Sequence, residues 1–193
     1  MDQSVQEALS AFTGWEQVQA QDGAGGNPDF PEEGEHEVLI VGYETSQGSF
    51  RYNAIDGSKV ELPCPSIRFL YERELDEDHP DFDAENPTNN TKTFSGVPFQ
   101  LLSSKQIQGL PETEGCKQQT RVNIMYGRLK QHLNVILGGT SDSLESDLTE
   151  VTEKLDGDAT IPVLMFAEHR RQNPADPESR VYKTDYLREL LTA

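Results

Sequence analysis

Three features of the chain predict an α+β fold that is mainly β. Residues 30–75 are rich in β-branched and aromatic side chains broken by turn signals, and a single long helical period runs from Lys117 to Gly139. A late apolar stretch, Thr160 to Arg171, precedes a second β-rich segment. With 193 residues the chain suits one domain with elaborations. We divide it into an N-terminal helical arm with a Gly-rich linker over 1–29 and a main domain over 30–193. Residues 140–159 form an acidic helical insertion within that domain.

In the arm, Val5, Ala8, Leu9 and Phe12 recur at helical spacing, and QDGAGGNP over 21–28 has nothing to pack. The first strand is centred on Val38 to Val41, and a Ser-Gln-Gly turn is expected after Glu44. SFRYNAIDGSKVEL then continues as a hairpin around Asp56-Gly57. Pro63 and Pro65 are expected to break the run before SIRFLYEREL resumes as a strand. There Phe69, Tyr71 and Arg73 share one face, Arg68, Leu70 and Glu72 share the other, and either face could be the buried one. DEDHPDFDAENPTNNT is a polar loop; its alternating Asp81, Asp83 and Glu85 lack the Gly and the closing acid of an EF-hand, so no specific metal site is assigned. TKTFSGVPFQLL is extended, with a kink at Gly96 and Pro98.

The helix over 117–139 gathers Val122, Met125, Tyr126, Leu129, Leu133, Ile136 and Leu137 on a core-facing side. Lys117, Arg121 and Arg128 fall together on another face, as a cationic ridge. Leu144, Leu148, Val151 and Leu155 mark a second, acidic and peripheral helix ending at Gly157. TIPVLMFAEHRR is a strand, Arg180 to Thr184 its hairpin partner, and DYLRELL a closing turn of helix.

The net charge is −18, which on its own disfavours a polyanionic partner. Its distribution matters more. Residues 1–50 hold ten acids and no Lys or Arg, whereas 105–139 hold five bases against two acids. Arg170, Arg171, Arg180 and Lys183 crowd the late hairpin. No GxSxG, HExxH, P-loop or GxGxxG occurs, and Cys64 and Cys116 form neither a CxxC nor a His/Cys cluster. An enzyme is therefore not expected, nor a metal or cofactor. No run approaches the roughly 20 apolar residues of a membrane helix, and the N-terminus has no basic region before a greasy one, so a cytoplasmic location is expected.

Basic and aromatic residues interleaved on strands, beside a basic helix, suit single-stranded nucleic acid. Exposed rings stack on bases at about 1–3 kcal/mol each while Arg and Lys track phosphates. The candidate binding residues are Phe50, Arg51, Tyr52, Arg68, Phe69, Tyr71, Arg73, Lys117, Arg121, Arg128, Arg170, Arg171, Arg180 and Lys183.

The phrases PEEGEHEVLIVGYE, FSGVPFQLL, GRLKQHLNVILGG, IPVLMFAEHRR and RVYKTDY, in this order over about residues 30–186, resemble phage-encoded single-stranded DNA-binding proteins of replication and recombination cassettes. The resemblance implies an OB-like, five-stranded, partly open barrel that holds the strand without chemistry or cofactor. Two departures stand out: the acidic helix after Gly139, and an ending in YLRELLTA where many such proteins carry a flexible acidic tail. The acidic residues 1–35 could contact replication or recombination proteins instead, and the N-terminal helix could dock in cis or join two copies. The competing expectation is an acidic interaction module that mimics DNA on a host protein. A structural virion protein with a similar barrel is a third.

Overall fold

The computed structural model describes residues 30–75, 77, 81–86, 90–176, 178–179 and 181–191. The expected helix over 4–12 and the Gly-rich linker lie outside these residues, as does Arg180.

The backbone of the fold is β1 (Gly34–Asn53), a 20-residue strand. The register shifts between Ile40 and Gly42, and the strand changes neighbour there. Its first part pairs antiparallel with β7 (Ile161–Arg171) and its second with β2 (Lys59–Glu74). A bulge adds local twist and lets one strand serve two directions of the sheet. The Ser-Gln-Gly turn expected after Glu44 does not form. Ser46, Gln47 and Gly48 pair with Ser66, Pro65 and Cys64, and the hydroxyls of Ser46 and Ser66 lie 3.0 Å apart. The real turn is Ala54–Ser58, where Gly57 takes a φ of +81° and donates its N–H to the Ala54 carbonyl at 2.9 Å.

Pro63 and Pro65 do not interrupt β2 either. They sit opposite Ser49 and Gln47, and their carbonyls turn away from β1 to accept from Gln106 Nε2 and the Leu101 N–H. The missing proline donors thus face a side where the ladder is short, the placement proline tolerates in a sheet.

β3 (Thr91–Ser95) and the two-residue β4 (Phe99–Gln100) both pair with β2, separated by Gly96–Pro98. A short α1 (Ser104–Gln108) follows, closed by a Ser103–Gln106 capping box, and then a small hairpin of β5 (Glu112–Thr113) and β6 (Cys116–Lys117). α2 (Gln118–Leu137) runs directly on from it and ends at Gly138, whose left-handed φ of +76° and N–H to the Asn134 carbonyl close the last turn. α3 (Leu144–Lys154) is capped by Ser143. It is less peripheral than its charge suggests. Leu144, Leu148 and Val151 enter the common core while Glu150 and Glu153 face out.

The last strand, β8 (Val181–Leu190), pairs with β7 along its whole length. DYLRELL is therefore strand, not a closing helical turn. Its helix-favouring Leu, Arg and Glu are overridden by the β7 ladder, in which Leu187 and Tyr186 oppose Met165 and Phe166. Among the described residues the order is β3-β2-β1-β7-β8, all antiparallel, with β4 beside β2. Among the described residues β3 and β8 are its two edges and do not pair with each other, so the sheet is not closed.

Side chains span that seam. α2 packs chiefly against β8, and the carboxylate of Asp185 on β8 accepts from Tyr71 Oη at 3.0 Å, His132 Nε2 at 3.2 Å and the Val97 N–H at 3.3 Å. All four residues are buried, as is Arg128, whose guanidinium lies 4.3 Å over the Phe99 ring. Gly96 packs tightly against this contact. A Cβ there would stand 2.7 Å from Asp185 Oδ2 and 2.7 Å from the Tyr71 ring. No helix among the described residues is long and apolar enough to cross a membrane.

Candidate nucleic-acid interface

The expected aromatic platform is buried. Phe69 and Tyr71 are fully enclosed and Phe50 is 2% exposed, so none of the three offers a face to a base. The strand alternation was sound, but the face bearing Phe69 and Tyr71 is the one that meets α2. Phe69 stacks on His132 at 5.8 Å and Tyr71 on Phe94 at 5.3 Å. Tyr52 stays half-exposed.

The cations divide by partner. Arg51 pairs with Glu61 at 2.8 Å, Arg68 with Glu44 at 2.7 Å and Arg170 with Glu168 at 2.7 Å. The hydrogen bonds and charges of those acids raise the Arg51 and Arg170 guanidinium pKa values above the ordinary arginine value. Arg73 lies elsewhere, in a cleft of about 450 Å³ that Glu35, Glu37, Glu72 and Glu74 also line. These four are poor candidates for phosphate contacts, because their charge is already balanced or surrounded by carboxylates. Arg171 is exposed opposite Val181, and Lys183 is half-buried opposite His169.

Three cations do converge. Lys117, Arg121 and Arg128 line one depression of about 310 Å³ with Phe50, Pro98, Gln100, Thr120, Ile124 and Met125. No acid lines it among the described residues. The ridge expected of α2 is split in depth: Lys117 and Arg121 are exposed at the rim, while Arg128 is buried at its base. Arg128 fails as a solvent ridge because α2 buries a wider arc than its apolar stripe alone, taking in Gly127, Arg128 and His132 as well.

Local structure sets the rim. The β5–β6 hairpin brings Glu112 back to the start of α2, where its carboxylate accepts from the Thr120 N–H at 3.0 Å and from the Thr120 hydroxyl. An acid at a helix N-terminus meets both the unpaired N–H groups and the positive end of the dipole. The next residue, Arg121, donates from Nη1 to the Arg51 carbonyl at 2.9 Å, and its Cζ lies 4.7 Å over the Phe50 ring. Helix and hairpin end are thus tied together. Burial pushes the Arg121 pKa down, with Tyr182 acting the other way. Tyr182 stands opposite Arg170 in the β7–β8 ladder, one pair from the loop that joins the two strands. Burial also lowers the Arg128 pKa, chiefly opposed by the charge of Asp185.

Arg121 is unlike the other arginines of the candidate set that have a carboxylate partner: its contacts are a carbonyl and a ring, and among the described residues no carboxylate lies within ion-pair distance of it. Sequence reasoning missed Tyr182 and the apolar wall of Ile124 and Met125. The alternation in VYKTDY was the available signal for Tyr182. It also missed the Asp185–His132 contact, which joins residues 53 apart with no local pattern to reveal it.

Comparison with protein-family models, curated proteins and solved structures finds no match for this chain.

Proposed function

We propose that the chain binds single-stranded DNA without sequence selectivity, through the depression on α2, on an OB-like barrel left open between β3 and β8. The observation that carries this reading is Arg121, a cation whose contacts are a carbonyl and a ring, at the rim of a depression that no acid lines among the described residues, on a chain of net charge −18. A phosphate entering the depression supplies the counter-charge that its lining lacks. Lys117 at the same rim adds a second contact. The acidic remainder repels a rigid duplex more than a flexible strand that can enter a small depression. Supporting the barrel are the bent β1 shared between β2 and β7, and a helix placed between the third strand and the last hairpin. A role in replication or recombination rests on the resemblance of the sequence phrases.

Fluorescence anisotropy with labelled oligo-dT and with duplex of equal length, across a salt series, tests the proposal. Affinity for oligo-dT should fall steeply with salt and exceed that for duplex. Absence of binding at low salt, or equal affinity for duplex, overturns it.

The glutamate-lined cleft between β1 and β2 favours a second reading, an acidic module that docks on a basic protein surface. Capture of a host protein that survives nuclease treatment, together with no oligonucleotide binding, would support that reading instead.

A further inference from the structure

A single-strand binder needs flat surfaces on which bases can stack, and the rings expected to supply them are buried. A guanidinium is also flat and delocalised, and bases stack on it. Arg121 is built to serve in this way. The Phe50 ring backs its guanidinium at 4.7 Å, and the Nη1 bond to the Arg51 carbonyl fixes its position. The residue nonetheless remains exposed. Holding a long side chain in place beforehand removes ordering entropy that binding would otherwise have to offset. Pro98, Ile124 and Met125 form an apolar wall beside it.

We infer that the depression is a one-nucleotide subsite, in which a base stacks on the Arg121 guanidinium and the adjoining phosphate meets Lys117. The inference rests on the nucleic-acid reading above and names its ligand unit. The volume of about 310 Å³ is at the lower end of small-ligand pockets, which begin at roughly 300 Å³, and suits one nucleotide better than several. Stacking on a cation accepts any base, in keeping with binding that ignores sequence.

The test uses the full chain, wild type and Arg121→Lys, with oligo-dT and an abasic strand of the same length, each over a salt series. Lysine keeps the charge and removes the plane. Wild type should bind oligo-dT about tenfold more tightly than the abasic strand. R121K should lose that preference and bind the two strands with closely similar affinity. A urea midpoint close to that of wild type shows that R121K is folded. If wild type binds both strands equally, or R121K keeps the preference for oligo-dT, the subsite is refuted and the proposed function stands. If wild type binds neither strand, the proposed function falls and the subsite with it. The wild-type comparison needs no variant, so a misfolded R121K cannot shield the inference.

Discussion

Asp185 Oδ2 lies 3.2 Å from His132 Nε2, with both side chains buried. The other ring nitrogen of His132 lies 2.9 Å from the Arg128 carbonyl. The carboxylate therefore sits among Tyr71, His132, Arg128 and the Val97 N–H, and joins β8 to α2 and to the β3–β4 corner. Removing one partner of a buried charge pair costs about 3–5 kcal/mol, because the charge left behind has no water to compensate it. Asp185→Asn is expected to lower the unfolding free energy by that order, read from urea unfolding.

The same carboxylate gives the fold an acid-sensitive component. Burial alone would raise the Asp185 pKa, but the hydrogen bond and charge of His132, then Arg128 and Tyr71, outweigh it and hold it at about 2, against an ordinary 3.8. A depressed carboxylate stabilises the folded state above its unfolded pKa, and that contribution disappears as pH falls through the folded one. The window runs from about pH 4 down to about pH 2, and the contribution is about 2 kcal/mol. The stability difference between wild type and D185N should shrink across that window; a constant difference would show that Asp185 does not titrate there.

Gly96 is fixed by space, not by backbone angle. Gly96→Ala would place a methyl 2.7 Å from Asp185 Oδ2 and from the Tyr71 ring. Overpacking of this kind costs about 1–3 kcal/mol. A melting temperature equal to wild type would mean that the seam yields freely.

Phe69 separates the core from the interface. Phe69→Ala is expected to cost about 3–5 kcal/mol of stability and to leave oligonucleotide affinity per folded molecule unchanged, since the ring stacks on His132 and is fully buried. Specific loss of affinity in folded F69A would return the ring to the binding surface.

The salt dependence should divide the cations by their partners. Lys117→Ala and Arg121→Ala should each flatten the log–log salt slope by about 0.7, the value for one phosphate contact to a single strand. Arg51→Ala and Arg68→Ala should leave it unchanged, because Glu61 and Glu44 already neutralise those cations. A flattened slope in the latter pair alone would move the interface onto the outer face of β1 and β2.

The helix over 118–137 and the strands around Val38, Phe69 and Val163 were legible because their periods are local. Asp56-Gly57 marked the β1–β2 turn for the same reason. The errors arose where distant pairing overrides a local signal: Ser-Gln-Gly held straight by Ser66, two prolines placed at a short ladder, and a helix-favouring YLREL drawn onto β7. In the site, charge segregation pointed to Lys117, Arg121 and Arg128, and the structure brings these three to one depression. The burial of Phe50, Phe69, Tyr71 and Arg128 was not legible, because alternation shows that two faces differ without showing which one meets the helix.

The contact between Tyr71 and Asp185 joins residues 114 apart, and this sets an order of assembly in time. Hairpin β1–β2 and helix α2 can each form from neighbouring residues, but the first part of β1 pairs only once β7 arrives, and Asp185, whose charge acts on Arg128, comes only with β8. Closing so long a loop is entropically slow, and topologies dominated by such contacts fold in milliseconds to seconds. Stopped-flow circular dichroism should accordingly show refolding on that scale, slowed further in D185N only if the Asp185 contacts already exist in the transition state.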